Sequence, residues 1–130
     1  MLDVNQWNTL NDRFPFSVLQ PPTVTGNHVI LGWAGKDWAY AETPPGAVFS
    51  VDPQIGKQQW SFDTLPKNSR RQTGTANVWT AMSVDEGLNL VYLPVASPSP
   101  SPNYWGGNRT QEIPYVTSTT ALDLDTGKVV

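Results

Sequence analysis

Two aspartates stand at matching points of a repeated segment, and their spacing raises the question of paired-carboxylate chemistry. Asp52 lies in the run 48–60, and Asp123, 71 residues later, lies in the run 119–130. Each copy reads as a strand, an aspartate, a tight turn that ends in Gly-Lys, and the start of another strand. An aspartate at this point accepts hydrogen bonds from turn amides, and the glycine supplies the positive φ. We therefore predict a structural role for both carboxylates.

Other side chains that could act as nucleophiles or bases are scarce. The chain has one histidine and no cysteine, which excludes disulfide frameworks, cysteine-based zinc sites and thiol nucleophiles. A Ser-His-Asp triad could be built only around His28, and that residue begins the apolar run 28–31. We predict that His28 is a strand residue and not a catalytic base.

Two loop segments offer groups that could contact a ligand. In the run 106–109, two glycines precede Asn108 and Arg109, and glycine lets a backbone approach a ligand or a neighbouring loop closely. The guanidinium of Arg109 could bind a carboxylate bidentately, and it could equally pin its own loop. The Ser-Pro run 97–102 indicates, by composition alone, a stiff extended loop.

Charge and hydropathy exclude several classes of partner. The net charge of the chain is -3, and the pair Arg70-Arg71 is too short to form a basic patch, so we expect no nucleic-acid partner. No stretch approaches the ~20 apolar residues of a membrane helix. The N-terminal run 1–5 has neither a basic region nor an apolar core, so we expect no signal peptide in this chain.

The composition of the chain indicates which elements position these groups, because turn-forming and aromatic residues are frequent. The chain has 10 glycines, 12 prolines and 6 tryptophans, which favours an all-β domain. Short β-branched or aromatic runs alternate with turn signals. Strands are predicted near residues 20–25, 28–34, 47–52, 57–63, 79–84, 88–94 and 117–123, and an eighth begins at Lys128.

The connections between the predicted strands alternate between tight turns and long loops. In an antiparallel meander the chain reverses at every turn, so successive connections lie on opposite edges of the sheet. We therefore expect all the tight turns at one edge, called here the short-turn edge, and all the long loops at the other, called the long-loop edge. Binding chemistry usually belongs to long loops on a rigid scaffold.

The repeat divides the chain into two units that are typical of propeller blades. We predict one four-stranded antiparallel blade over about 20–63 and a second over about 79–130, whose last strand is incomplete. Such units bury both faces only against neighbours, so the rest of the propeller is the first expected partner.

The repeat resembles the tryptophan-docking motif of the quinoprotein propellers. The second copy matches it at Ala121, Asp123 and Thr126-Gly127-Lys128, and the first copy matches it at Asp52, Gly56-Lys57 and Trp60. Further motifs lie between the copies and resemble the glucose and quinate branch of the pyrroloquinoline quinone (PQQ) dehydrogenases. They are Asn77-Val78-Trp79, Val91-Tyr92-Leu93-Pro94 and Trp105-Gly106-Gly107-Asn108-Arg109.

This resemblance implies an eight-bladed propeller and a set of site residues. Trp79 matches the tryptophan whose ring forms the floor under PQQ, and the alternative is a core tryptophan between blades. Asp37 matches the acidic residue that holds a divalent metal, Ca²⁺ or Mg²⁺, and the alternative is a solvated loop aspartate. Ser101, Asn108 and Arg109 match positions near the cofactor.

The function implied by the resemblance is oxidation of a sugar or polyol-type alcohol by a periplasmic PQQ-dependent dehydrogenase. No residue of the chain matches the aspartate base of the family, so we expect the chain to be a fragment that is inactive alone. The alternative is a non-catalytic propeller that serves as a binding or assembly scaffold. Membrane contact is expected only through parts of the parent protein beyond this chain.

Overall fold

The computed structural model describes residues 18, 20–34, 46–65, 74–99 and 114–130. Their regular structure consists of strands, all in antiparallel pairs, which confirms the all-β prediction. The strands are β1 (Thr23–Thr25), β2 (His28–Gly32), β3 (Ala47–Val51), β4 (Gln58–Asp63), β5 (Gly74–Thr75), β6 (Ser83–Asp85), β7 (Leu90–Val95), β8 (Pro98–Ser99) and β9 (Ser118–Asp123). No helix able to span a membrane occurs among these residues.

The first sheet is a four-stranded meander in the order β1-β2-β3-β4. β1 pairs with β2 from Thr23 opposite Ile30, and the tight turn at Gly26 has the positive φ that glycine adopts without strain. β3 pairs with β4, with a register shift between Ser50 and Val51. These four strands lie within one to three residues of their predicted limits.

The second sheet has the order β6-β7-β9 and departs from prediction in two places. The strand predicted over 79–84 begins only at Ser83, so Trp79 precedes it in irregular backbone. The strand predicted from Lys128 is a single bridge between Leu122 and Val129. That bridge lies 71 residues after the pairing of Val51 with Gln58 in the first sheet, so it has the register of the first repeat.

A third pairing was not predicted from the sequence. β5 pairs with β8, with Gly74 opposite Ser99 and Thr75 opposite Pro98. The first part of the Ser-Pro run is therefore extended, as its composition indicates, but it is paired with another strand and is not only a loop. The limits of the two predicted blades, 20–63 and 79–130, stay predictions.

The hydrophobic core lies between the inner faces of the two larger sheets. Alternate residues of β7 are buried, because successive strand residues point to opposite faces. The core consists of Ile30, Val48, Trp60, Leu65, Ala76, Val78, Met82, Val91, Leu93, Val95, Leu122 and Leu124. A smaller cluster of Trp33, Ala47 and Phe49 covers the opposite face of the first sheet.

Candidate functional site

Trp79 lies in an open cleft at the long-loop edge. Its side chain is 53% exposed, although large aromatic residues are usually buried for most of their surface. The cleft has a volume of about 470 Å³ and is lined by Trp79, Thr80, the end of β7 with residues 96–97, and residues 117–119 at the start of β9. An exposed indole at this position offers a flat apolar face to a ligand.

The backbone on both sides of Trp79 is fixed by buried contacts. Asn77 O accepts a hydrogen bond from Ala96 N at 2.9 Å, and the side chain of Val78 is fully buried in the core. On the other side, the Gln20 amide is assigned the orientation that gives each of its atoms a partner. In that orientation its nitrogen donates to Thr80 O, and its oxygen accepts from Gly32 N at 2.9 Å. The indole is therefore exposed on a segment whose main chain is anchored.

The two repeated aspartates bind their own turns at the short-turn edge. Asp52 Oδ1 accepts hydrogen bonds from Gln54 N at 2.8 Å and Ile55 N at 3.1 Å. Asp123 Oδ1 accepts from Thr126 N at 2.9 Å and from the Thr126 hydroxyl at 2.7 Å. Gly56 and Gly127 close the two turns with φ values of 68° and 66°. The predicted structural role of both carboxylates is confirmed.

The Thr126 hydroxyl bond has an electrostatic consequence. It is the main cause that lowers the pKa of Asp123 below the usual 3.8, and the bond from Thr126 N lowers it further. A carboxylate that accepts several hydrogen bonds is stabilised in its charged form. Asp123 is therefore held as a charged turn acceptor, which is the opposite of what a general acid requires.

Trp60 links the two sheets at this edge. Trp60 is 7% exposed, and its Nε1 donates a hydrogen bond to Leu124 O at 2.7 Å. A Cβ built on Gly127 would lie 2.6 Å from the Trp60 ring, so only glycine lets the indole rest on this turn. The first copy of the repeat thus docks on the second.

A second cleft, of about 440 Å³, lies beside this junction between the turns of the two sheets. His28 lies in β2, as predicted, and is buried. Its Nδ1 lies 2.9 Å from Ser50 Oγ. Its Nε2 lies 3.5 Å from Asp125 Oδ1. Thr25 Oγ1 donates to Glu86 at 2.6 Å across the same junction. The polar groups of this cleft therefore bind one another.

Comparison with known proteins identifies the family. Residues 2–130 match the family model "PQQ: Glucose/ethanol/alcohol dehydrogenase, beta-propeller domain". The chain belongs to this PQQ propeller family. The resemblance drawn from the docking motif and from the motifs around Trp79 is thereby confirmed.

Individual relatives of the PQQ propeller chain come from the expected branch. It is 36% identical over 128 residues to the quinate/shikimate dehydrogenase (quinone) of Acinetobacter baylyi, covering 91% of this chain and 16% of that protein. It is 33% identical over 119 residues to the quinoprotein glucose dehydrogenase of Gluconobacter oxydans, covering 84% of this chain and 14% of that protein. The chain thus spans about one sixth of the length of these relatives.

Solved structures give the same fold. The chain is similar to the quinohemoprotein alcohol dehydrogenase of Comamonas testosteroni, with a TM-score of 0.74, 22% identity, and coverage of 97% of this chain and 21% of that one. It is also similar to the enzyme ADHIIG of Pseudomonas putida HK5, with a TM-score of 0.73, 22% identity, and coverage of 93% and 20%. The predicted quinoprotein β-propeller architecture is confirmed.

Of the site residues that the PQQ propeller resemblance implied, Trp79 is the one within the described residues. Asp37, Ser101, Asn108 and Arg109 lie outside them. Among the residues that the structure describes, no group of three or more His, Cys, Asp or Glu side chains could hold a metal ion. Gln20 and Gly32, which anchor the Trp79 segment, were not singled out from the sequence, because neither lies in a motif or near Trp79 in the chain.

Proposed function

We propose that this chain is part of a PQQ-dependent dehydrogenase that oxidises a sugar or a polyol-type alcohol. The chain would supply part of the PQQ and metal site and would not turn over substrate alone. Family membership and the names of the relatives, quinate/shikimate dehydrogenase (quinone) and quinoprotein glucose dehydrogenase, support this proposal. The remaining blades of the propeller and the aspartate base would come from sequence that lies beyond this chain.

The observation that carries the proposal is the exposed indole of Trp79 in the cleft at the long-loop edge. A planar tricyclic quinone gains dispersion energy and offset stacking from such a face, so this residue fits the group. The indole also needs no rearrangement of the core to accept a ring, because its burial is incomplete and its main chain is anchored. Such preorganisation favours binding by lowering its entropic cost.

The other residues of the proposed site follow from the family motifs. Asp37 would give a hard oxygen ligand to Ca²⁺ or Mg²⁺, an ion that polarises a quinone carbonyl. Arg109 would pair with a cofactor carboxylate, with Asn108 and the Ser101 hydroxyl beside it. PQQ would supply the acceptor for the hydride that is removed from the alcohol. Trp79 would orient the quinone for that transfer, and the stacked rings would exclude water from the face between them.

The compartment belongs to the same proposal. We place the parent enzyme in the periplasm, with small sugars or polyols as substrates. Any membrane attachment would come from segments of the parent outside the present chain.

Reconstitution of the complete gene product tests the proposal. PQQ with Ca²⁺ or Mg²⁺ should quench tryptophan fluorescence and support dye-linked oxidation of glucose, quinate or a polyol. Trp79→Ala should weaken PQQ binding by about tenfold or more, since an aromatic pair contributes roughly 0.5–1.5 kcal/mol beyond the area it buries.

The matched control is Ile55→Ala at the short-turn edge, because Ile55 is also a large exposed side chain. It should leave PQQ binding unchanged. A complete protein that neither binds PQQ nor oxidises alcohols would contradict the proposal and would favour the non-catalytic scaffold.

A further inference from the structure

We propose that Gln20 is a positioning residue that fixes Trp79 at its cleft. The amide of Gln20 bridges the end of β2 to the main chain next to Trp79. The consequence for cofactor binding rests on the proposed function of Trp79, whereas the consequence for the order of the indole does not.

The burial of Gln20 is the first argument. Its side chain is 6% exposed, and burying a primary amide is costly unless its oxygen and nitrogen are both hydrogen-bonded. The oxygen accepts from Gly32 N at 2.9 Å, and the nitrogen donates to Thr80 O. Gln20 thus joins two segments that are 12 and 60 residues away in the chain.

The end of β2 leaves a position that this amide fills. Continuing the register of β1 and β2 would place Pro21 opposite Gly32, but their pairing ends at Thr23 and Ile30. Proline has no N–H to contribute to such a pair. The oxygen of the Gln20 side chain therefore takes the place of a strand partner for Gly32 N, and its nitrogen donates to Thr80 O.

Gly32 also contacts the Trp79 segment directly. A Cβ built on this glycine would overlap Val78 O and the Gln20 side chain. The backbones of β2 and of the segment before Trp79 are therefore in close contact, and the Gln20 amide occupies the space beside that contact. A glycine in a strand often marks such an approach.

Different contacts fix the main chain before and after Trp79. Val78 is fully buried and Asn77 O is bonded to Ala96 N, so the segment is fixed on its N-terminal side. Thr80 itself is exposed, so the bond from Gln20 anchors the main chain between Trp79 and Met82, the next buried core side chain. Because Trp79 is 53% exposed and its side chain has few packing contacts to hold it, the orientation of the indole depends strongly on this main chain.

The test compares two glutamines at opposite edges, buried Gln20 and exposed Gln59, each of which uses both its oxygen and its nitrogen in hydrogen bonds. Gln59 accepts from Ser50 Oγ at 2.7 Å and donates to Asn27 O at 3.0 Å. Gln20→Met and Gln59→Met each keep the side-chain length and remove both bonds. In the complete gene product, Gln20→Met should weaken PQQ binding about tenfold, measured by equilibrium dialysis with Ca²⁺, because Gly32 N and Thr80 O lose the side chain that joins them and the indole loses its fixed orientation. Gln59→Met should leave it within about twofold.

A double-mutant cycle separates positioning from general destabilisation. In a Trp79→Ala background, Gln20→Met should have little further effect on PQQ binding, because its effect acts through the indole. Equal losses in the two backgrounds, or equal losses for Gln20→Met and Gln59→Met, would overturn the inference.

A measurement without cofactor distinguishes this inference from the proposed function. The Trp79 contribution is the difference between fluorescence anisotropy decays of the parent protein and of Trp79→Phe. Gln20→Met should add a fast component to that contribution, since local side-chain motion is faster than tumbling. If the parent protein fails to bind PQQ but this component appears, the proposed function fails and the inference holds. An unchanged decay in Gln20→Met would overturn it.

Discussion

Trp60 and Trp79 show how differently the two edges of this chain use the same side chain. At the short-turn edge Trp60 is 7% exposed, rests on Gly127 and donates to Leu124 O. At the long-loop edge Trp79 is 53% exposed and lines a cleft. The first indole joins two sheets, and the second is presented to solvent by a main chain that other residues anchor.

The difference in burial between Trp60 and Trp79 implies different roles, one in stability and the other in the proposed ligand binding. A buried, hydrogen-bonded tryptophan contributes through packing and through the bond that it satisfies. An exposed one contributes little to folding, so its surface remains for a ligand. The short-turn edge is thus the scaffold, and under the proposed function the long-loop edge is where a change in side chain would alter binding without altering the fold.

The largest expected difference is in the free energy of unfolding after each of the two tryptophans is truncated to alanine. Trp60→Ala should destabilise the complete protein by about 3–5 kcal/mol, because it empties part of the core and leaves Leu124 O without its donor. Trp79→Ala should change stability by less than about 1 kcal/mol. Urea denaturation measures both.

The control for that pair is Trp60→Phe, which keeps an aromatic ring but removes the bond from Nε1. Its destabilisation should lie between the two alanine variants. Equal losses for Trp60→Ala and Trp79→Ala would contradict the division between the edges.

The glycine beneath Trp60 should give the next largest effect. Gly127→Ala combines a positive φ of 66° with a Cβ only 2.6 Å from the indole, so a loss of about 3 kcal/mol is expected from strain and overpacking together. Gly26→Ala has a positive φ of 49° but nothing within 4 Å of its Cβ, so a loss of about 1–2 kcal/mol is expected from strain alone.

Thermal unfolding measures the stability of both variants. The difference between their losses gives the contribution of the contact between Trp60 and the Gly127 turn. A Gly127→Ala variant no less stable than Gly26→Ala would show that the indole moves aside freely, and that the junction between the sheets is loose.

The short-turn edge was predictable because its geometry is local. Asp52 and Asp123, each followed by a Gly-Lys pair, were sufficient to predict both turns. The strand predicted from Lys128 is reduced to the bridge between Leu122 and Val129, but that bridge keeps the register of the first copy. Each of these bonds joins residues that are a few positions apart, so the sequence pattern contains the whole unit.

The surroundings of Trp79 were less predictable because they depend on distant segments. The strand predicted over 79–84 begins only at Ser83. The β-branched residues next to Trp79 favour a strand, and they do not reveal that Asn77 O is bonded to Ala96 N. The pairing of β5 with β8 and the bridge made by Gln20 join segments far apart in the chain. The family motif singled out Trp79, but not the residues that hold it. The cofactor role of Trp79 stays a prediction, as do the roles of Asp37, Ser101, Asn108 and Arg109.

The smallest expected effect distinguishes the two copies of the turn at the short-turn edge. Thr126 gives its hydroxyl to Asp123, whereas the corresponding residue of the first copy, Ile55, has no hydroxyl. The lowered pKa of Asp123 means that folding favours its charged form. The resulting stabilisation is present above the usual value of 3.8 and is lost as the pH falls through the lower, folded-state value.

Thr126→Val should therefore raise the pKa of Asp123 toward its usual value and lower Tm by no more than a few degrees at neutral pH. The loss should shrink in acid, once the carboxyl is protonated in both states. Ile55→Thr is the reciprocal change, and it should raise Tm slightly at neutral pH by giving Asp52 the same hydroxyl donor. Carbon-detected NMR titration of Asp123 and Tm measured across pH test the pair. A Thr126→Val loss that is as large in acid as at neutral pH would mean that the threonine acts through packing and not through the carboxylate.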